Sequence, residues 1–157
     1  MNAAHENKRQ FAMSILEGLA RRLNSLTADF FYLALDEAGF EEHEKVRLVG
    51  ACFRTAQARR WLQRTSFSQK STRNNSNLLS VWYSNLYGVD KNGGQIPRAE
   101  IEAEYGRWRG KGMEPPDRLA KFWLWQKEFM DSWERQDTAK APQDSLVRQL
   151  ARLQGVL

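Results

Sequence analysis

One cysteine, Cys52, and two histidines stand among the 157 residues. A lone cysteine forms no internal disulfide, and neighbours as small as Gly50 and Ala51 suit a buried thiol better than a reactive one. His5 lies in a polar end and His43 in an acidic turn, and neither has the spacing of a zinc site. Nine residues separate His43 from Cys52, so on one helix they stand about 180° apart and make no dyad. The sequence GxxxxGK followed by Ser or Thr is missing, as is GxGxxG, which removes the common phosphate-binding loops. The basic run RGKG at 109–112 has neither a preceding strand nor the right spacing. Glu100 and Glu104 share a helix face but read as a solvated one, acidic early and basic late. These absences argue against an enzyme, a metal and a cofactor.

No apolar run approaches the roughly 18–20 residues needed to span a bilayer. The polar start MNAAHENKRQ is not followed by the apolar core of a signal peptide. The expectation is a cytoplasmic protein that does not enter a membrane. Proline is scarce, at four residues, and hydrophobic residues reach 41%, so a folded core is expected rather than disorder. Residues 1–7 read as a flexible N-terminus and 8–157 as a single helical domain.

The most pointed absence is local. From Lys45 to Val89 there is no Asp or Glu, against eight basic residues: Lys45, Arg47, Arg54, Arg59, Arg60, Arg64, Lys70 and Arg73. Residues 1–44 carry a net −4 and residues 90–157 a net +1, so this stretch supplies the excess behind the total of +5. Such a run is expected to generate a local positive field whatever the fold.

Apolar spacing of three and four predicts helices over most of the chain. Phe11, Ile15, Leu16, Leu19, Leu23 and Leu26 form the first stripe. Phe30, Phe31, Ala34, Leu35 and Ala38 form the second, with Gly39 as its stop. Further helices are expected over 42–64, 78–87 and 97–109, the last with Pro97 in its first turn, then from Asp117 to Gln136 and from Pro142 onward. Thr65–Asn77 reads as a long polar loop, and Asn92-Gly93 as a turn with a short hairpin as its alternative. The fold class expected is all-α, a compact bundle of six or seven helices.

Residues 46–64, VRLVGACFRTAQARRWLQRT with its last Thr at 65, resemble the local pattern of helix-turn-helix DNA readers. Leu48 and Val49 would face inward, Gly50 to Cys52 would allow a close crossing, and Thr55 would cap a second helix bearing Ala58, Trp61 and Leu62 on its inner side. The resemblance covers this segment alone and lacks a glycine at the corner. One straight helix from Glu42 to Arg64 accounts for the same spacing. In the first case Gln57 and Arg59 would approach base edges in the major groove while Arg60 and Arg64 hold phosphates.

The function expected is nucleic-acid binding, to double-stranded DNA more than RNA, by Gln57, Arg59, Arg60, Arg64, Lys70 and Arg73. A second cluster, Arg107, Arg109 and Lys111, flanks Trp108, whose ring would stack on unpaired bases. The alternative is a helical adaptor acting by protein contact. Its residues would be Trp123, Trp125, Phe129 and Trp133, aromatic types favoured at interface centres, in a homodimer or with another protein.

Overall fold

The computed structural model describes residues 3–73, 77–118 and 129–130. The chain divides into two compact units, Met1–Arg118 and Leu119–Leu157, and the elements below all belong to the first.

The first apolar stripe folds as a helix only in part, with Phe11 exposed and Ile15 half-buried. Helix α1, Ala3–Arg22, buries Ala12, Met13, Leu16, Leu19 and Ala20 along one side. It stops short of Leu26 because Ser25 and Leu26 leave the helix as β1 and pair with Tyr83 and Trp82. Helix α2, Ala28–Glu37, follows at once. Gly39, at φ 92°, lets the chain turn, and the Phe40 N–H reaches the Leu35 carbonyl at 3.1 Å. Phe40 then stacks on Phe11 with ring centroids 5.7 Å apart.

Helix α3 spans Glu42–Ala58 and opens with a capping box between Glu41 and Glu44. Leu48, Cys52, Phe53 and Ala56 form its buried stripe. Burial pushes the Cys52 thiol pKa up, as expected of an inert cysteine.

The helix-turn-helix reading fails in this segment. No bend occurs at Gly50–Cys52, and Thr55 caps nothing: its hydroxyl donates to the Ala51 carbonyl at 3.1 Å inside an unbroken helix. Nor does the helix continue to Arg64. Arg60 turns left-handed at φ 62°, its N–H bonds the Gln57 carbonyl at 3.0 Å, and the Trp61 N–H bonds the Ala56 carbonyl at 2.9 Å. That pair of bonds is a Schellman cap with arginine in the position glycine usually takes.

After the cap come two strands, β2 (Leu62–Lys70) and β3 (Leu78–Ser84). They pair antiparallel, and with β1 they form a three-stranded sheet in the order β1-β3-β2. The register shifts between Arg64 and Ser68, where the Thr65 hydroxyl reaches across to the Val81 carbonyl at 2.7 Å. The first part of the expected loop 65–77, as far as Lys70, is thus edge strand, and the expected helix 78–87 is instead the central strand as far as Ser84. Buried Asp29 holds the far end of the hairpin, accepting from the Ser71 hydroxyl at 2.9 Å and the Thr72 N–H at 2.7 Å.

Asn92-Gly93 sits in a tight turn closed by a Val89–Gln95 bridge, so the short-hairpin alternative holds there. Helix α4, Arg98–Gly110, packs Tyr105 and Trp108 into the core, with Trp108 edge-on to Phe30 at 5.1 Å. Burial also raises the Tyr105 pKa, and its oxygen accepts the Asn24 N–H at 3.0 Å. Among the described residues the fold is therefore mixed, four helices and one antiparallel sheet, rather than an all-α bundle. The helices expected over 117–136 and from 142 lie outside the described residues, apart from a few positions.

Candidate nucleic-acid interface

Tertiary structure sorts the basic residues by what faces them. Lys45 is buried, with its ammonium 2.6 Å from Asp36 and 3.2 Å from Glu42. The hydrogen bond to Asp36 raises its pKa. Arg73 lies over the Tyr32 ring, 3.3 Å from its centroid, and 3.9 Å from Glu42. The Tyr32 hydroxyl also donates to Glu42, which raises the tyrosine pKa and lowers that of the carboxyl. Lys45 and Arg73 thus answer acidic groups on α2 and α3.

The cluster around Trp108 is compensated as well. Arg107 reaches Glu37 at 2.6 Å and Glu104 at 3.1 Å, Arg109 reaches Glu114 at 3.0 Å, and Lys111 pairs with Glu37. Trp108 itself is 0% exposed, and its indole N–H donates to Glu104 at 3.0 Å. The expected stacking of this ring on unpaired bases is overturned, because the ring is core. Glu100, the other half of the carboxylate pair, meets Arg22 at 2.8 Å.

A different group is left without acidic partners. Gln57 is exposed on the last turn of α3, Arg59 caps the helix, and Arg60 occupies the left-handed turn. Arg64 lies in edge strand β2, where its Nε donates to the Ser80 hydroxyl at 3.1 Å, and Lys70 ends that strand, exposed. Arg54 belongs with them. Its guanidinium lies along α3 over Gly50, where a Cβ would stand 3.4 Å from it. From α1, Arg9 donates to the Thr55 hydroxyl at 3.1 Å. Arg9, Arg54, Arg59, Arg60, Arg64 and Lys70 form no ion pair among the described residues.

Arg9, Arg54 and Arg59 surround one depression of about 520 Å³, whose remaining lining is Ala51, Thr55 and Ala58. Beside it lies a second depression of about 450 Å³ that shares Arg9, Thr55 and Arg59 and adds Trp61 and Met13. Trp61 is half-buried, and the Arg59 guanidinium lies 5.2 Å from its ring centroid. The whole groove lies between α1, from Glu6 to Glu17, and the C-terminal end of α3, with Lys91 also in its lining.

Sequence reasoning singled out Gln57, Arg59, Arg60, Arg64 and Lys70, and it left out Arg54, Arg9 and the Trp61 ring. Arg54 had a signal: it sits two turns from Arg47 and so on the same outer helix face. Arg9 had none, because only the packing of α1 against α3 brings it near. Trp123, Trp125 and Trp133 lie outside the described residues, and Phe129 is helical and half-buried.

Among the described residues no helix is long and apolar enough to cross a membrane, and no cluster of His, Cys, Asp and Glu could hold a metal ion. No protein-family model, curated protein or solved structure matches the chain.

Proposed function

We propose that this protein is a non-catalytic nucleic-acid-binding protein whose principal contacts are to phosphates, made from the outer face of α3, the turn at Arg59–Arg60 and edge strand β2. The supporting observation is the sorting of charge. Arg54, Arg59, Arg60, Arg64 and Lys70 are all exposed and form no ion pair among the described residues, while the basic residues of α4 are paired. Guanidinium groups free of carboxylates offer two parallel N–H donors to a phosphate. The exposed Ser66 and Ser68 of β2 add neutral donors beside them. With no second helix after Thr55, the proposal includes no major-groove readout by Gln57 or Arg59.

The test compares two double variants. Labelled duplex DNA, single-stranded DNA and structured RNA are titrated at about 50 and about 200 mM salt. The wild type binds at the lower salt and weakens steeply at the higher. Arg54→Ala with Arg59→Ala lowers affinity by roughly tenfold or more and flattens the salt slope by about two, one for each phosphate released. Arg107→Ala with Arg109→Ala leaves affinity and slope unchanged. Absence of binding to all three nucleic acids at low salt, with folding confirmed by circular dichroism, defeats the proposal.

A further inference from the structure

The groove between α1 and α3 is chemically polarised along its length. At one end stand Arg9, Arg54 and Arg59, with no carboxylate in the lining. At the other end stand Trp61 and Met13, together with Glu6, Glu17 and Lys91. Glu17 is already answered by Arg21 at 3.7 Å and Lys91 at 3.6 Å, so it adds polarity there without a large net field. Arg9, Thr55 and Arg59 line both ends and join them.

A nucleotide has the same polarity. Its phosphate is a compact dianion or monoanion, while its base is a neutral plane with a π face and amino groups that donate hydrogen bonds. The volumes, about 450 and about 520 Å³, fall in the range of small-molecule sites, roughly 300–1,000 Å³. We propose that the groove takes one unpaired nucleotide, with its phosphate among Arg9, Arg54 and Arg59 and its base against the Trp61–Arg59 pair. Trp61 lines one depression and no aromatic ring lines the other, which sets the orientation. Exocyclic amino groups of a base meet Glu6 at the Trp61 end.

This inference rests on the phosphate-binding reading and adds to it a preference that charge alone does not produce. Bases inside a duplex are stacked and paired, and their faces cannot reach Trp61. Single strands, strand ends and free nucleotides share the chemistry the groove requires. Stacking on an aromatic ring also tolerates different bases, since each has a π face.

Three probes of matched charge separate the possibilities: a short single strand of deoxyadenylate, an abasic strand of equal length, and a duplex of equal phosphate count. Adenosine monophosphate serves as a fourth, small probe. The base-bearing strand binds wild type about tenfold more tightly than the abasic strand, the effect of one stacked base. Trp61→Leu, which keeps apolar contact with the core, removes that advantage and leaves abasic binding in place. The wild-type comparison stands by itself if that variant does not fold. Saturable binding of adenosine monophosphate that displaces the strand identifies a terminal or free nucleotide as the occupant. Discrimination by the strand alone identifies a nucleotide within a chain. Equal affinity for base-bearing and abasic strands overturns the groove inference while the phosphate reading survives. Failure of every probe to bind at low salt overturns both.

Discussion

Two arginine-rich segments, 54–64 and 107–111, each surround a tryptophan, and their sequences suggest the same role. Folding gives them opposite ones. Around Trp108 every cation meets a carboxylate, and the ring is sealed in the core with its N–H on Glu104. In the segment around Trp61 no arginine does among the described residues, and the ring stays partly exposed beside Arg59. A local count of charge therefore says little about the field a segment presents. What decides is whether the fold brings acidic groups from elsewhere, as it brings Glu37 from α2 to Arg107.

The hardest test of this contrast is Trp108→Ala. Removing a fully buried ring should cost roughly 3–5 kcal/mol of stability through lost burial and a residual cavity. Chemical denaturation reads the loss. A change below about 1 kcal/mol, the range of surface substitutions, would mean the ring is not core and would reopen its stacking role.

Arg60→Gly probes the other segment. A non-glycine residue in the left-handed region costs on the order of 1–3 kcal/mol and persists only where its surroundings enforce it. Here the enforcement is visible: Asn85 donates from its side chain to the Arg60 carbonyl at 2.9 Å and from its backbone to the Trp61 carbonyl at 2.9 Å. Glycine relieves the strain but adds freedom to the unfolded chain. The expected net gain in stability is therefore small, under about 1 kcal/mol. Nucleic-acid affinity should fall and the salt slope should flatten by about one. A variant that gains stability and keeps full affinity would remove Arg60 from the interface.

The smallest effect concerns pH and the acidic groups that hold the compensated cations. The hydrogen bond from Tyr32 lowers the Glu42 pKa, and that from Lys8 lowers the Glu44 pKa. Both carboxylates are therefore more acidic folded than unfolded. Their contribution is present above the unfolded value of about 4.3 and is lost as pH falls through the lower folded values. Denaturation midpoints should decline between about pH 5 and pH 3. Lys8→Ala together with Tyr32→Phe should shallow that decline, and an unchanged slope would refute the assignment.

Much of the fold was legible locally. The stripes of α1 and α2, the stop at Gly39, the acidic start of α3 and the helix 98–110 all follow from periodicity and end chemistry. The stop of α3 was hidden because its Schellman cap uses Arg60, where glycine would have announced it. Leu78, Leu79, Trp82 and Leu86 satisfy a helical spacing, although Leu78–Ser84 is a strand. Short apolar runs fit both periods. Edge strand β2 gave no alternation to read, since Gln63, Arg64, Ser66, Phe67, Ser68 and Lys70 are all exposed.

By itself the sequence determined the helical stripes, the absence of disulfide chemistry and the confinement of eight cations to a segment without acids. Only tertiary structure decided that residues 62–84 pair as strands and which cations stay unpaired. The reason is physical range. Periodicity and capping act within a few residues. A central strand needs neighbours on both sides, and β3 finds them in β1 and β2. A cation is neutralised by whichever carboxylate the fold sets near it, and for Arg107 that residue lies seventy positions away at Glu37.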